Sequence, residues 1–273
     1  MYNRASQGFS LTSTAIHTTA IVSPDADVDS TVTVGPGALI EADVAIGPNT
    51  EVGAYSIVRR YTTIGANNRI DAQVVIGGLP QHTAWDGAKS SVVIGDDNTI
   101  REFSTIHRGY AEGGQTRIGS NCLLMAYSHV GHDCIVGDNV ILTNVAQLGG
   151  HVAVGDNAIM GGASGAHQFT RVGAFCMVAA HIVLKKDALP YSIIGGEPVR
   201  HYRLNRIGLK RNGIDGDRFR ALESAFRALR GGDREFVDVE TTPEIEYLRN
   251  WVGRKSKYGL YGFVDGNRSQ DRS

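Results

Sequence analysis

Counting in sixes from Val22 lands on Val22, Val28, Val34, Ile40, Ile46, Val52, Val58, Ile64, Ile70 and Ile76, every one of them β-branched and apolar. The beat halts in GGLPQHTAWDGAKSS and resumes in phase at Ile94, Ile100 and Ile106. It halts again over HRGYAEGGQTR and returns at Ile118, Leu124, Val130, Val136, Leu142, Leu148, Val154 and Met160. Ala166 is a weak beat, and Val172, Val178 and Leu184 close the series before Pro190. A helix repeats every 3.6 residues and a strand every two, so neither alone gives six. Short strand, corner, short strand does give six: a hexapeptide β-helix in which each apolar side chain stacks on its counterpart one coil away. Glycine often follows the beat, as at Gly35, Gly47, Gly53, Gly65, Gly95, Gly119, Gly137, Gly155 and Gly173. It reads as the flexible residue that lets the chain turn. Three hexads make a triangular coil of 18 residues, so Val22 to Leu184 is nine coils if the two interruptions count as coil and fewer if they leave it. The spacing is silent on handedness.

Beyond Pro190 the period changes. GIDGDRFRALESAFRALRGG carries Phe219, Leu222, Ala225, Phe226 and Leu229 at helical spacing, with Asp215 placed to cap and Gly231 to stop. TTPEIEYLRNWVGRK predicts a second helix with Thr242 as cap and Pro243 at its first position. The expected organisation is an N-terminal extension over 1–16, a β-helix over 17–195 with protruding loops near 77–92 and 107–117, and a helical domain over 196–273 whose last residues, VDGNRSQDRS, are loose.

Composition narrows the function. The 273 residues carry a formal charge of −1, which gives no field favouring nucleic acid. The 34 glycines and 7% aromatics fit a core of small repeated layers. Cys122, Cys134 and Cys176 form no CxxC pair and read as reduced thiols of a cytoplasmic protein. No apolar run is long enough to span a bilayer, and the first twenty residues lack the apolar stretch of an export signal.

Coils of 18 residues bring distant polar residues together. His129 aligns with Gln147, His132 with Gly150 and Gly150 with Gln168, Asp133 with His151, and Gly149 with His167. Three readings of this histidine-rich patch stand open. Its members can be solvent-facing decoration. They can be metal ligands, although repeat β-helices that bind zinc use a His-x4-His pair, and His129 and His132 are spaced by three. Or one imidazole is a general base that deprotonates a sugar hydroxyl attacking a thioester, with Asp133 orienting the ring and a Gly149–Gly150 amide holding the oxyanion.

The motifs HTTAIV, IREFSTIHRG, NCLLMAYSHVGHDCIVG, LGGHVAVGD, GAHQFTRVG, ALPYSIIGGEP and GLKRNGI follow in that order. Over roughly 17 to 255 the chain thereby resembles the acyl-[acyl-carrier-protein]–UDP-N-acetylglucosamine O-acyltransferases, which open lipid A synthesis. The resemblance implies a left-handed parallel β-helix and a homotrimer with active sites in clefts between subunits. It implies transfer of an (R)-3-hydroxyacyl group from acyl carrier protein to the 3-hydroxyl of UDP-N-acetylglucosamine, with no metal and no cofactor. By motif match, His132 is the base, Asp133 its partner and Gly150 the oxyanion-hole glycine. His129, His151, His167 and Gln168 match substrate contacts, and Asn205 and Arg211 match positions that grip the UDP end. Ala180 falls at the position that measures acyl length. Two stretches depart from the family. His82 and Ala84 stand where an aspartate and a lysine meet substrate, and Ile207 and Asn212 replace a glutamate and an arginine of the UDP grip. These departures leave open a related acyltransferase acting on another nucleotide sugar, such as the 3-amino analogue. Arg200, Arg203, Arg206 and Lys210 form an acid-free basic strip that either faces solvent or steers the acidic carrier protein.

Overall fold

The structure, a computed structural model, describes residues 16–264; the readings of residues 1–15 as an extension and of those after Val264 as a loose tail lie outside it. Short parallel strands follow one another around three faces of a prism. Nine strands form the first face, from Ile21–Val22 to Val183–Leu184. Eight form the second, from Asp27–Val28 to Arg171–Val172, and ten the third, from Thr33–Val34 to Arg200–Leu204, the last of them antiparallel to its neighbour Ser192–Gly195. The prism is a left-handed parallel β-helix.

Most strands are two residues long, one side chain out and the beat residue in. Every beat residue from Val34 to Leu184 is buried, while Val22 and Val28 are half-buried at the first coil. Each such side chain contributes about 1.5–3 kcal/mol when taken from water. A second buried column lies two residues before the beat, filled by small residues such as Ala38, Thr50, Ser56 and Ser128. Their polar atoms tie coils together: the hydroxyls of Thr50 and Ser56 donate to the Gly65 and Asp71 carbonyls. The three cysteines occupy this column. Cys122 and Cys134 donate to the carbonyls of Gly137 and Gly149, each at 3.1 Å. Burial pushes the Cys122 thiol up to about 11 and those of Cys134 and Cys176 to about 12, so all three are packing residues rather than nucleophiles.

The glycines after the beat do a different job from the one expected. None of the nine adopts a positive φ. The left-handed turn falls two residues later and, after Gly37 on the first such turn (φ 67°), is made by non-glycine residues, among them Asn49 (φ 56°), Tyr127 (φ 61°) and Asp133 (φ 58°). The glycines are needed because coils approach closely there: a Cβ on Gly155 would lie 2.5 Å from the Ala174 nitrogen, and one on Gly53 2.5 Å from the Asp71 carbonyl carbon.

The interruptions leave the coil without breaking its phase. Val58 pairs with Ile76, 18 residues on, but Ile76 pairs with Ile106, 30 on, and Ile106 with Val130, 24 on. The surplus is two hexads and then one, so the beat stays in step and the first face spans eight coil steps from Val22 to Leu184, not nine. The loops, 79–90 and 108–114, do not stand clear of the prism: His82 packs on Tyr110 at 4.1 Å, and both rings lie over one corner.

Among the described residues three helices follow: α1 (Arg206–Arg211), α2 (Gly216–Arg230) and α3 (Pro243–Gly253). Thr242 caps α3 by accepting the Ile245 N–H, whereas Asp215 holds the cap position of α2 without a side-chain hydrogen bond, and α1 is a six-residue helix within the basic strip. Leu222, Phe226, Ile245, Leu248 and Trp251 close a second core over Leu189 and Tyr191. Arg171 clasps the two parts: it pairs with buried Asp187 at 2.7 Å, and its guanidinium lies 4.3 Å over the Trp251 ring. The chain then returns over the last coils as a strap, 255–263, held where Asp187 donates to Gly259 O and Lys185 donates to the Tyr261 hydroxyl.

Candidate active site

The corner between the first and second faces carries residues 131–134, 149–152 and 167–170 on successive coils. His132 follows the beat Val130 by two residues. At this place the side chain leaves the corner sideways rather than entering the core. Asp133 next to it takes the left-handed torsion, which swings its carboxylate back onto the imidazole. His132 Nδ1 lies 2.8 Å from Asp133 Oδ2. A carboxylate only accepts, so Nδ1 carries a proton, and in the neutral ring Nε2 keeps its lone pair. The same oxygen accepts the Tyr110 N–H at 2.8 Å, and the Asp133 N–H donates to Thr116 Oγ1 at 2.8 Å. The aspartate is thus fixed from three sides.

His132 Nε2 faces Gly150, whose missing side chain makes the room: a Cβ there would collide with the imidazole nitrogen. The Gly150 N–H makes no hydrogen bond among the described residues. The carbonyl of the same peptide unit, that of Gly149, accepts the Cys134 thiol and is held in place by it. The His132 ring is 6% exposed, yet its surroundings are polar: His151 at 5.1 Å and His82 at 5.4 Å, both edge-on, and Tyr110 at 6.0 Å. It sits outside the apolar column, under the first loop. Such a grouping can take a proton at Nε2 and stabilise a negative oxygen at the Gly150 amide.

His151 Nε2 lies 3.8 Å from Asp133 Oδ2, and its ring stacks on Phe169 at 4.5 Å. Burial, against the pull of Asp133, holds it below the usual imidazole range, helped by the charges of His132, Lys257 and His82. His129 accepts from or donates to Thr105 Oγ1 at 2.9 Å and meets His107 edge-on at 5.1 Å. Burial first, then the neighbouring histidines, lowers it to about 4, so it is neutral near pH 7. His132, Asp133 and His151 offer donor atoms within 4.8 Å of one another, a set open to a divalent ion. The hydrogen bonds already joining His132, Asp133 and Tyr110 match proton transfer more closely.

Other residues singled out in the sequence fall elsewhere. His167 and Gln168 are exposed on the next coil of the same corner, and His167 turns to Tyr258 at 5.5 Å rather than to His132. Asn205 is 5% exposed and caps α1: its oxygen accepts the Gly208 N–H and its amide donates to Phe175 O. Those bonds commit it inside the chain. Arg211, Ile207 and Asn212 lie on or beside the same short helix and are exposed. Arg200, Arg203, Arg206 and Lys210 are likewise exposed. Ala180 is exposed on a different corner, between the third and first faces.

Two participants were missed. His107, whose Nδ1–H donates to Leu79 O at 2.6 Å, holds the first loop beside His129. It stands directly after the beat Ile106, where other coils carry glycine, and that exchange was a readable signal. Tyr110 had no such signal, because its part is played by its backbone N–H. Between the loops lies a cleft of about 440 Å³ lined by Asp86, Gly87, Ala88, Tyr110, Ala111 and Glu112.

Comparison with known proteins converges on one family. Residues 115–144 match the bacterial transferase hexapeptide model, and residues 187–259 match the second domain of the UDP-N-acetylglucosamine O-acyltransferases. An acyl-[acyl-carrier-protein]–UDP-N-acetylglucosamine O-acyltransferase of Burkholderia lata is 44% identical over 256 residues, 93% of this chain and 98% of its own length. One from Xanthomonas oryzae pv. oryzae is 46% identical over 216 residues, 78% of this chain and 82% of its own. The crystal structure of the Francisella novicida UDP-N-acetylglucosamine acyltransferase superposes with a TM-score of 0.87 at 32% identity, covering 92% of this chain and 95% of that one. Coil, helical domain and whole-length identity agree, and the chain belongs to the acyl-[acyl-carrier-protein]–UDP-N-acetylglucosamine O-acyltransferase family.

Proposed function

We propose that this protein transfers an (R)-3-hydroxyacyl group from acyl carrier protein to the 3-hydroxyl of UDP-N-acetylglucosamine, the first step of lipid A biosynthesis, in the cytoplasm. One observation carries the chemistry: an imidazole oriented by Asp133 through Nδ1 presents Nε2 to an unpaired Gly150 amide. The sugar hydroxyl attacks the thioester carbon while Nε2 takes its proton. The carbonyl oxygen becomes an oxyanion that the Gly150 N–H accommodates. When the C–S bond breaks, the imidazolium returns the proton to the departing thiolate. The balance closes with no cofactor.

His82, His129, His151, His167, Gln168 and Arg211 would line the substrates, and Arg200, Arg203, Arg206 and Lys210 would steer the carrier. Ala180 and His132 occupy different corners of one prism, so a single chain does not hold a whole site. A homotrimer with clefts between subunits resolves this. The corner bearing Ala180 supports it: Tyr55, Phe103, Tyr127 and Val145 form an exposed apolar ridge along it, with Phe103 stacked on Tyr127 at 4.8 Å. No described helix is long and apolar enough to cross a membrane.

The test is a product assay by mass spectrometry with hydroxyacyl carrier proteins of several chain lengths. UDP-N-acetylglucosamine and its 3-amino analogue serve as acceptors. An ester on UDP-N-acetylglucosamine is expected. An amide formed only on the analogue would move the protein to the other acceptor, and no product on either would overturn the reading.

A further inference from the structure

The strap that returns from the helical domain ends against the active-site corner. Lys257 Nζ lies 3.3 Å from the centroid of the Phe169 ring. Phe169 in turn stacks on His151, interplanar angle 5°, and its N–H donates to the Gly150 carbonyl at 3.0 Å. Tyr258, the next strap residue, meets His167. Lys257 and Tyr258 therefore close the column His132–Gly150–Gln168 at its far end. The placement is built: the strap is tied by Gly259, Leu260 and Tyr261 to Asp187 and Lys185. Phe169 holds the ammonium close to the corner by cation–π attraction.

The charge of Lys257 is unmatched. The residue is exposed, and among the described residues no carboxylate pairs with it. The nearby acid, Asp133, is taken up by His132 and the Tyr110 N–H. Both substrates of the proposed reaction carry phosphate, on the nucleotide sugar and on the pantetheine arm of the carrier.

We propose that Lys257 is a further substrate-binding residue: its ammonium, pinned over Phe169 at the end of the His132–Gly150–Gln168 column, takes a phosphate of an incoming substrate. The proposal rests on the acyl-transfer reading above. An ammonium is a point charge with three donors and suits an anionic oxygen without demanding a fixed fork geometry.

The experiment is titration calorimetry of the full-length protein, wild type, Lys257→Met and Lys257→Arg, with UDP and with 4′-phosphopantetheine as separate probes. Methionine keeps the apolar stem over Phe169 and removes only the charge. One probe, or both, is expected to bind Lys257→Met about tenfold more weakly, with Lys257→Arg close to wild type. The probe affected identifies the phosphate. Equal binding of both probes to wild type and Lys257→Met overturns the proposal, as does a loss that Lys257→Arg shares. A melting temperature within a few degrees of wild type, expected for so exposed a residue, excludes unfolding as the cause; should Met fail this, Lys257→Gln takes its place. Wild-type turnover of the intact substrate pair is measured alongside. Its absence sinks the acyl-transfer reading, whereas the titrations judge Lys257 without any turnover.

Discussion

Two corners of the same prism are built from one backbone and do opposite things. Between the second and third faces, the left-handed position is Asn49, Asn67, Asp97, Asn121, Asn139 and Asn157, residues that adopt this torsion at low cost, until Phe175 takes it on the last coil. There the amide two residues past the beat is capped from the next coil: the Ser120 N–H by Asp138 Oδ1 at 2.7 Å, and the Asp138 N–H by Asp156 Oδ1 at 2.9 Å. Between the first and second faces the same positions are His132, Gly150 and Gln168, and no acid of the next coil reaches the Gly150 N–H. On the proposed reading, a repeating scaffold makes a binding site by omission. Leaving out one capping carboxylate frees an amide, and leaving out one Cβ lets an imidazole face it.

The comparison can be broken most severely at the imidazole. His132→Ala is expected to lower kcat by about two to four orders of magnitude with little change in urea midpoint. Asp138→Ala on the other corner should leave kcat alone and cost about 1 kcal/mol in the same denaturation. The sharper version converts one corner into the other. Gln168→Asp supplies the missing cap to the Gly150 amide, and turnover should fall about a hundredfold while stability holds or rises. Undiminished turnover would remove Gly150 from the mechanism.

The joint between prism and helical part gives a smaller effect, read through pH. Buried His201 accepts the Leu189 N–H at Nε2, so its Nδ1–H donates to Tyr261 O, and burial lowers its pKa to about 4. The unfolded chain binds this proton more readily than the folded one. Its contribution is therefore complete above about pH 6.5 and is lost as pH falls toward about 4, by up to about 3 kcal/mol. Urea midpoints measured across that range should drop, and His201→Gln should flatten the slope. The smallest effect concerns the third corner, where Val145 holds the left-handed torsion at φ 63°. A β-branched residue there costs about 1–2 kcal/mol that asparagine largely avoids. Val145→Asn should stabilise the isolated chain by about 1 kcal/mol and weaken self-association, which light scattering would report as a lower mass.

The coil was legible because its signal repeats: one residue in six faces an apolar interior, and each coil states the rule again. His132, Asp133 and Gly150 were legible for the same reason, since a fixed 18-residue stack converts sequence distance into a column. The glycines were misread because sequence shows that a side chain is absent and not whether torsion or crowding excludes it. The capping role of Asn205 was not legible, because a short helix with no apolar period gives no sign of its cap.

The sequence by itself therefore determined the prism, its interior column and the family, all consequences of periodic burial along one chain. Only the tertiary structure decided which histidine nitrogen is free, that loop 79–90 covers the corner, that Tyr110 contributes a backbone N–H, and that a strap from residue 255 onward reaches Phe169. Those contacts join residues far apart in the chain and outside the hexad register. They follow from the directions of side chains and the routes of loops, and no period in the sequence encodes either.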